Sequence, residues 1–190
     1  MGRKAGITLD DIVGTAGAIA DRDGLAATTL SAVAAELGIK TPSLYNHIDG
    51  LAGLRRQLAM HASAELTEVF VAATEGHQPR EAIRAAAVAY REWATVHGGL
   101  YESLLPAATP SSDPELYEAM AAPVRNLFAE FAQLGISEEE AVHLIRGLRA
   151  MLHGFVDLER QSGFGMPVDL DESFDVALDL MLDQIASRDR

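Results

Sequence analysis

The sequence predicts an all-α fold in which a three-helix N-terminal module precedes a six-helix C-terminal body. Ala, Leu, Glu and Arg dominate the chain, and no run alternates apolar with polar residues as a strand would. Gly and Pro interrupt the apolar periodicity at intervals and so delimit the elements. The helices are predicted at residues 8–23, 30–37, 42–47, 51–75, 80–97, 99–105, 113–134, 137–161 and 171–187.

The composition is that of a globular protein with unevenly distributed charge. Of the 190 residues 48% are hydrophobic, 23% are charged and none is Cys, which excludes disulfides, thiolate metal sites and cysteine nucleophiles. Residues 1–56 carry as many cations as anions, so the whole net charge of −13 lies in the remainder. Such a module can face phosphate while the acidic body points away. Because no signal peptide and no apolar run of membrane-spanning length is readable, we expect a cytoplasmic protein.

The first helix, 8–23, supplies one wall of a small core. Its apolar residues recur at helical spacing: Leu9, Ile12, Val13, Ala16, Ile19 and Ala20. Two shorter helices, 30–37 and 42–47, would close that core and complete the N-terminal module. We place the boundary of this module after residue 50, so that the body comprises residues 51–190.

Residues 29–47 predict two short helices joined by a tight turn. The inner face of the first consists of Val33, Ala34 and Leu37. Gly38 suits the left-handed conformation that ends this helix, and Ile39 and Leu44 plug the angle between the helices. The side chains left facing outward are Thr41, Ser43, Tyr45, Asn46 and His47. This pattern is typical of a helix-turn-helix, whose second helix enters the major groove of DNA.

Residues 8–60 resemble the DNA-binding domain of the TetR/AcrR family of bacterial transcriptional regulators. The matching positions are Thr29, Ala34, Gly38, Ile39, Leu44, Tyr45 and His47. The resemblance implies that Thr29 binds a phosphate and that Tyr45 and His47 brace the DNA backbone. It also implies that Thr41, Pro42, Ser43 and Asn46 lie over base edges and thymine methyls.

The sequence departs from the family at the start of the fourth helix, where Leu51 replaces the usual phosphate-binding Lys. We expect Lys40 to supply a phosphate contact in its place. Arg55, Arg56 and the arm residues Arg3 and Lys4 are further candidates, although the two arginines suit ordinary solvated helix positions equally well.

The last two long helices predict self-association. Helices 137–161 and 171–187 each carry an apolar face that exceeds what one neighbour covers, and a four-helix bundle between two copies would bury both. In the resembling family this surface forms the dimer. Two recognition helices would then meet successive major grooves of a pseudopalindromic operator, about 34–36 Å apart.

The middle of the chain resembles regulators with a WHG-type C-terminal domain, over residues 90–101, 148–156 and 163–167. That resemblance implies a ligand-sensing core for an unknown small-molecule effector. The aromatic and methionine candidates for its lining are Trp93, Tyr117, Phe128, Met151 and Phe155. Ordinary core packing is the alternative interpretation of each.

Catalytic motifs are missing from the sequence. It contains no Gly-x-Ser-x-Gly, no His-Glu-x-x-His and no phosphate-binding loop, and a single Glu140-x-x-His143 pair cannot build a di-iron site. We therefore expect no enzyme, no metal and no cofactor. The sequence predicts a ligand-responsive DNA-binding regulator, a repressor that a small molecule releases from its operator. The alternative, favoured by the overall acidity, is a helical interaction or ligand-binding module that does not bind DNA.

Overall fold

The computed structural model describes residues 6–106 and 108–186, with the side chains of 184–186 left aside. No strand occurs over these ranges, which confirms the all-α prediction. The α-helices are α1 (Leu9–Asp23), α2 (Leu30–Glu36), α3 (Gly50–Thr74), α4 (Pro79–Val96), α5 (Gly98–Ser103), α6 (Pro114–Gln133), α7 (Glu138–Arg160) and α8 (Leu170–Ala186). Two 3₁₀ helices, Leu25–Ala27 and Thr41–Asn46, lie on either side of α2. None of the described helices combines the length and apolar character that a bilayer crossing requires.

Contacts between residues divide the chain into two compact units. The first comprises residues 1–65 and 96–120, and the second comprises 66–95 and 121–190. The first unit therefore contains α5 and the start of α6 in addition to the N-terminal helices. The boundary predicted after residue 50 does not coincide with this division, and as a boundary between functions it stays a prediction.

The core of the first unit forms where α1, α2 and the 3₁₀ helix Thr41–Asn46 meet. Ile12, Ala16, Val33 and Leu44 are fully buried, and Ala34 is nearly so. The small side chain at Ala34 suits a position where two short helices cross closely. These residues are the ones that the helical periodicity turns inward, so the apolar pattern by itself accounts for this core.

Asp21, near the end of α1, joins α5 to the first unit. Its carboxylate accepts hydrogen bonds from the backbone N–H groups of Gly99 and Leu100, both at 3.0 Å. The other carboxylate oxygen lies 2.8 Å from Nδ1 of His97. A carboxylate at a helix N-terminus satisfies donors that the helix leaves unpaired and complements its dipole. One side chain thus fixes the first turn of α5.

A second polar link in the first unit connects α3 with the start of α6. Arg56 donates from Nε to Oδ2 of Asp113 at 2.6 Å, and from Nη2 to Oδ1 of Asp113 at 3.0 Å and to Glu115 at 2.7 Å. Asp113 also accepts the N–H of Leu116 at 3.0 Å and so caps α6. The guanidinium of Arg56, assisted by that N–H group, lowers the pKa of Asp113 to about 2.

In the second unit, α4 carries a ladder of arginines that bind carboxylates of α7 and α8. The pairs are Arg80 with Asp183, Arg84 with Asp175 and Asp179, and Arg91 with Glu159 and Asp171. The residue numbers rise on α4 as they fall on α8, so these helices run antiparallel. The guanidinium of Arg91 also lies 5.1 Å from the ring centroid of Phe155 and 4.7 Å from that of Phe174. Stacking and ion pairing together hold Arg91 in a largely buried position.

Gly99→Ala is expected to destabilise the first unit, because a Cβ at this position would lie 2.1 Å from the backbone carbon and oxygen of Ala20. The backbone would have to shift, at a cost of roughly 1–3 kcal/mol in the free energy of unfolding. Gly14→Ala is the matched control, since a Cβ there meets nothing within 4 Å and should add roughly 0.5–1 kcal/mol through helix propensity. Urea titrations of both variants measure the difference. Wild-type stability of Gly99→Ala would contradict the close packing of α1 and α5.

Asp113 is expected to contribute to stability only above acidic pH. Its pKa in the folded protein, about 2, lies below the ordinary value of 3.8. The contribution is therefore fully present above about pH 4 and is lost as the pH falls through about 2. Unfolding free energies of the wild type and Asp113→Asn, in which Asn still caps α6, should converge over this interval. A difference that stays constant down to pH 2 would show that Asp113 is not paired as described.

Candidate nucleic-acid interface

The surface of the 3₁₀ helix Thr41–Asn46 and of His47 has the orientation that the sequence predicts. Leu44 is fully buried, while Tyr45 beside it is 60% exposed. We call the outward set the recognition face; it consists of Thr41, Pro42, Ser43, Tyr45, Asn46 and His47. All of these residues are exposed except Thr41, which is half-buried. Six of the eight predicted DNA-binding residues therefore lie together, five on this helix and His47 directly after it.

The recognition face is carried by a 3₁₀ helix, whereas the sequence predicts an α-helix over 42–47. The backbone bonds from Ser43 N–H to Lys40 and from His47 N–H to Leu44, both 2.9 Å, span three residues. Pro42 provides no N–H group, and so short a segment offers few bonds that span four residues. The tighter helix still leaves Leu44 inward, so the predicted surface survives the change of helix type.

The turn before this helix has the predicted geometry. Gly38 adopts a φ of 67°, in the left-handed region that a side chain disfavours. The N–H group of Ile39 then reaches back to the carbonyl of Ala34 at 2.9 Å, as in a glycine-terminated helix. This turn sets the angle at which the recognition face leaves α2.

The two remaining predicted DNA contacts flank α2. Thr29 is exposed and caps α2, with its hydroxyl accepting the Ala32 N–H at 3.2 Å. Lys40 is exposed directly before the recognition face and forms no ion pair within the described ranges. Leu51, the departure from the family pattern, is 39% exposed at the start of α3, so an apolar side chain occupies the surface where a cation was expected.

The structure distinguishes the two arginines that the sequence leaves equivalent. Arg55 is exposed, whereas Arg56 is 28% exposed and its guanidinium is bonded to Asp113 and Glu115. These bonds raise the pKa of Arg56, so it is charged but committed to its own unit. Of the two, only Arg55 presents a cation to a ligand in solution. Arg3 and Lys4 lie outside the described residues.

Four of the five predicted effector residues lie in the second unit. Trp93 is buried, and Phe128, Met151 and Phe155 are half-buried, all in the second unit. Tyr117 belongs to the first unit and is 38% exposed. The ring of Phe155 packs against Phe164 and Phe174, with centroids 4.8 and 5.1 Å apart. Sequence reasoning missed this cluster and its Arg91, because no spacing rule joins α4 to residues 155–174.

A cleft of about 300 Å³ lies in the first unit. Its lining residues are Leu9, Asp10, Val13, Gln57, Met60 and His61. None of the five predicted effector residues belongs to it, so their role as an effector site stays a prediction.

Comparisons with known proteins agree with this geometry. A family described as "Tetracyclin repressor-like, C-terminal domain" matches residues 83–181, a range that includes all three stretches compared above with WHG-type regulators. The chain is 30% identical over 178 residues to the uncharacterized HTH-type transcriptional regulator YobS of Bacillus subtilis, covering 94% of this chain and 92% of the relative.

Two solved structures share the fold. ActR of Streptomyces coelicolor in complex with (S)-DNPA has a TM-score of 0.74 at 20% identity, covering 96% of this chain and 98% of that one. BioQ with its natural double-stranded DNA operator has a TM-score of 0.68 at 21% identity, covering 96% and 99%. The match to the family and the sequence identity to YobS indicate common ancestry in addition to a shared fold. The chain belongs to the TetR family of helix-turn-helix transcriptional regulators.

Proposed function

We propose that the protein is a cytoplasmic repressor, without enzymatic activity, that binds operator DNA as a homodimer and is released by a small-molecule effector. The observation that carries this proposal is the burial of Leu44 beside an exposed recognition face. A surface of hydroxyl, amide, imidazole and phenol groups on a helix that protrudes from a small core suits the major groove. BioQ, which shares the fold, has been solved with its operator, and this supports the same role here.

The recognition face divides by chemistry into residues that read bases and residues that hold the backbone. Thr41, Ser43 and Asn46 carry uncharged groups that hydrogen-bond base edges, and Pro42 suits contact with a thymine methyl. We assign the phosphate contacts to Tyr45, His47, Thr29 and Lys40, whose side chains are exposed. Because few exposed cations serve each copy, one copy alone binds weakly, and an operator complex needs two.

The surface that we propose for self-association differs from the apolar faces that the sequence indicates, because Phe174, Leu178 and Leu182 of α8 are buried. On α7 the apolar residues Ile145, Leu148, Leu152 and Val156 are buried within the monomer. What stays uncovered is chiefly on α8, where Val176 and Leu180 are 56% and 66% exposed one turn apart, with Leu158 near the end of α7. Residues four apart on a helix lie side by side, and adjoining exposed apolar side chains form the kind of patch that protein contacts use. We place the twofold contact there.

Leu180→Glu should convert a dimer into a monomer, because it places a charge at the centre of this contact without disturbing the protomer core. Val71→Glu is the control, since Val71 is also half-exposed but lies on α3. Sedimentation velocity over a range of concentrations measures the change. A wild type that stays monomeric, or a dimeric Leu180→Glu, would contradict this placement.

The regulatory step requires that the effector prefers one state of the protein. A small molecule that binds the released and the DNA-bound forms equally would shift nothing. ActR, with the same fold, has been solved with a small molecule bound, which supports an effector here. Helix α3 begins three residues after His47, so any displacement of its first turns is passed directly to the recognition face.

Tyr45→Ala should weaken operator binding about tenfold or more while helix content and dimerisation are unchanged, because Tyr45 is exposed and contributes little to the core. Val168→Ala, which truncates a 59% exposed apolar side chain of the second unit, is the control and should retain affinity. Fluorescence anisotropy with duplexes taken from the region around the protein's own gene gives both affinities. The competing role of a DNA-free interaction module would be favoured if the wild type formed no sequence-preferring complex.

A further inference from the structure

Arg56 is the most firmly held cation on α3, and its carboxylate partners lie at the start of α6. Three hydrogen bonds of 2.6 to 3.0 Å tie its guanidinium to Asp113 and Glu115, 57 and 59 residues further along the chain. The side chains of Arg56 and Asp113 are 28% and 27% exposed, so water competes only partly with this pairing. The fork of an Arg that binds both oxygens of one carboxylate is a strong and directional contact.

The bonded arginine lies close along the chain to the recognition face. Arg56 stands less than two helical turns after the start of α3 at Gly50. Two backbone hydrogen bonds connect the segment between the recognition face and Arg56. The Ile48 N–H donates to the Leu44 carbonyl and the Gly53 N–H donates to the Asp49 carbonyl, both at 3.0 Å. This run of backbone bonds leaves little freedom between the first turns of α3 and Leu44. Fixing Arg56 therefore fixes the recognition face.

The other side of the contact is a helix terminus. Asp113 binds Arg56 and caps α6 with the same carboxylate. If the first turn of α6 moves or unwinds, the carboxylate of Asp113 moves with it, and the hydrogen bonds between Asp113 and Arg56 break. The contact thus converts a change at the start of α6 into a change at the start of α3.

We propose that Arg56 is a positioning residue for operator binding: bonded to Asp113 and Glu115, it sets the angle of the recognition face and does not itself contact a phosphate. The proposal rests on the proposed function as a DNA-binding regulator. It names the start of α6 as the part of the protein whose state controls DNA affinity.

Two opposite expectations separate positioning from phosphate contact. If Arg56 bound phosphate, Asp113→Asn would strengthen DNA binding, because it removes an anion and frees the arginine. If Arg56 positions the recognition face, the same variant weakens binding although the protein becomes less negative. Arg56→Lys separates the two roles again, since Lys serves as a point charge for phosphate but lacks the fork that binds both oxygens of Asp113.

The salt dependence provides a second criterion. Loss of a phosphate contact lowers the slope of log K against log salt by about 0.9 for each contact. Loss of a positioning contact lowers the affinity with the slope close to that of the wild type, because the cations that face the DNA are the same.

The experiment measures operator affinity by fluorescence anisotropy across a salt series, with the full chain as its dimer. The variants are Arg56→Ala, Arg56→Lys, Asp113→Asn and the double variant Arg56→Ala/Asp113→Asn, with Arg55→Ala as the matched control on the exposed neighbour. We expect each of the first three to weaken binding about fivefold or more, at the lower end of couplings between sites. The double variant should be no weaker than Arg56→Ala alone. Arg55→Ala should lower the affinity only as far as the loss of one phosphate contact does, with a smaller slope of log K against log salt.

Circular dichroism and sedimentation accompany each variant, and Asp113→Asn, which keeps the cap of α6, tests the proposal if Arg56→Ala does not fold. Tighter binding by Asp113→Asn, retained affinity of Arg56→Lys, or a reduced salt slope for Arg56→Ala would overturn it. If the wild type binds no duplex, the proposed function itself is wrong. If the wild type binds the operator and Arg56→Ala binds it with equal affinity, only the positioning role is wrong.

Discussion

The burial of Leu44 is the contact on which the candidate interface depends. A six-residue 3₁₀ helix has too few backbone bonds to hold its shape in water. Leu44 is its one buried side chain, and it is fully enclosed, so this residue supplies the packing that the backbone cannot. When the Leu44 side chain points into the core, the side chains of Ser43 and Tyr45 on either side of it point toward solvent. The rest of the first unit, from Gly38 to the walls formed by α1 and α2, provides the place into which Leu44 fits.

The parts of this structure that depend on neighbouring residues could be predicted from the sequence. Apolar spacing located the α-helices, Gly38 located the turn, and the inward position of Leu44 followed from the same pattern. The helix type of Thr41–Asn46 could not be predicted in this way, because a small difference in backbone bonding decides it. Contacts between distant residues were invisible for a different reason. Nothing local indicates that Asp21 meets residues 97–100, or that Arg56 is paired while Arg55 is exposed.

The apolar faces of the C-terminal helices show a further limit. The spacing of apolar residues shows that a face is covered, but it does not say by what. Most of the stripe on α7 is buried within the monomer, as are Phe174, Leu178 and Leu182 of the stripe on α8, whereas the exposed Val176 and Leu180 lie outside that stripe. The five aromatic and methionine residues considered as an effector site have the same ambiguity, since core packing and ligand lining select the same residue types.

The distribution of ion pairs explains how an acidic chain can present a surface suited to DNA. Many of its arginines form ion pairs within the chain. Those of α4 bind carboxylates of α7 and α8, Arg22 binds Glu36, and Arg56 binds Asp113. The recognition face itself carries hydrogen-bonding groups and contains no Asp, Glu, Lys or Arg. In such an arrangement the general attraction to DNA is weak, and discrimination between sequences depends on groups that read base edges.

The attachment of α5 to α1 has a consequence for building hybrid regulators. Asp21 holds the first turn of α5, and Gly99 leaves room for the backbone of Ala20. A graft that exchanges residues 1–50 for those of a relative would keep the old α5 against a new α1, and a single side chain at either place could prevent the two from fitting. Residues 97–103 are therefore better transferred together with the N-terminal helices, as one non-contiguous cassette, when this protein is given a new operator specificity.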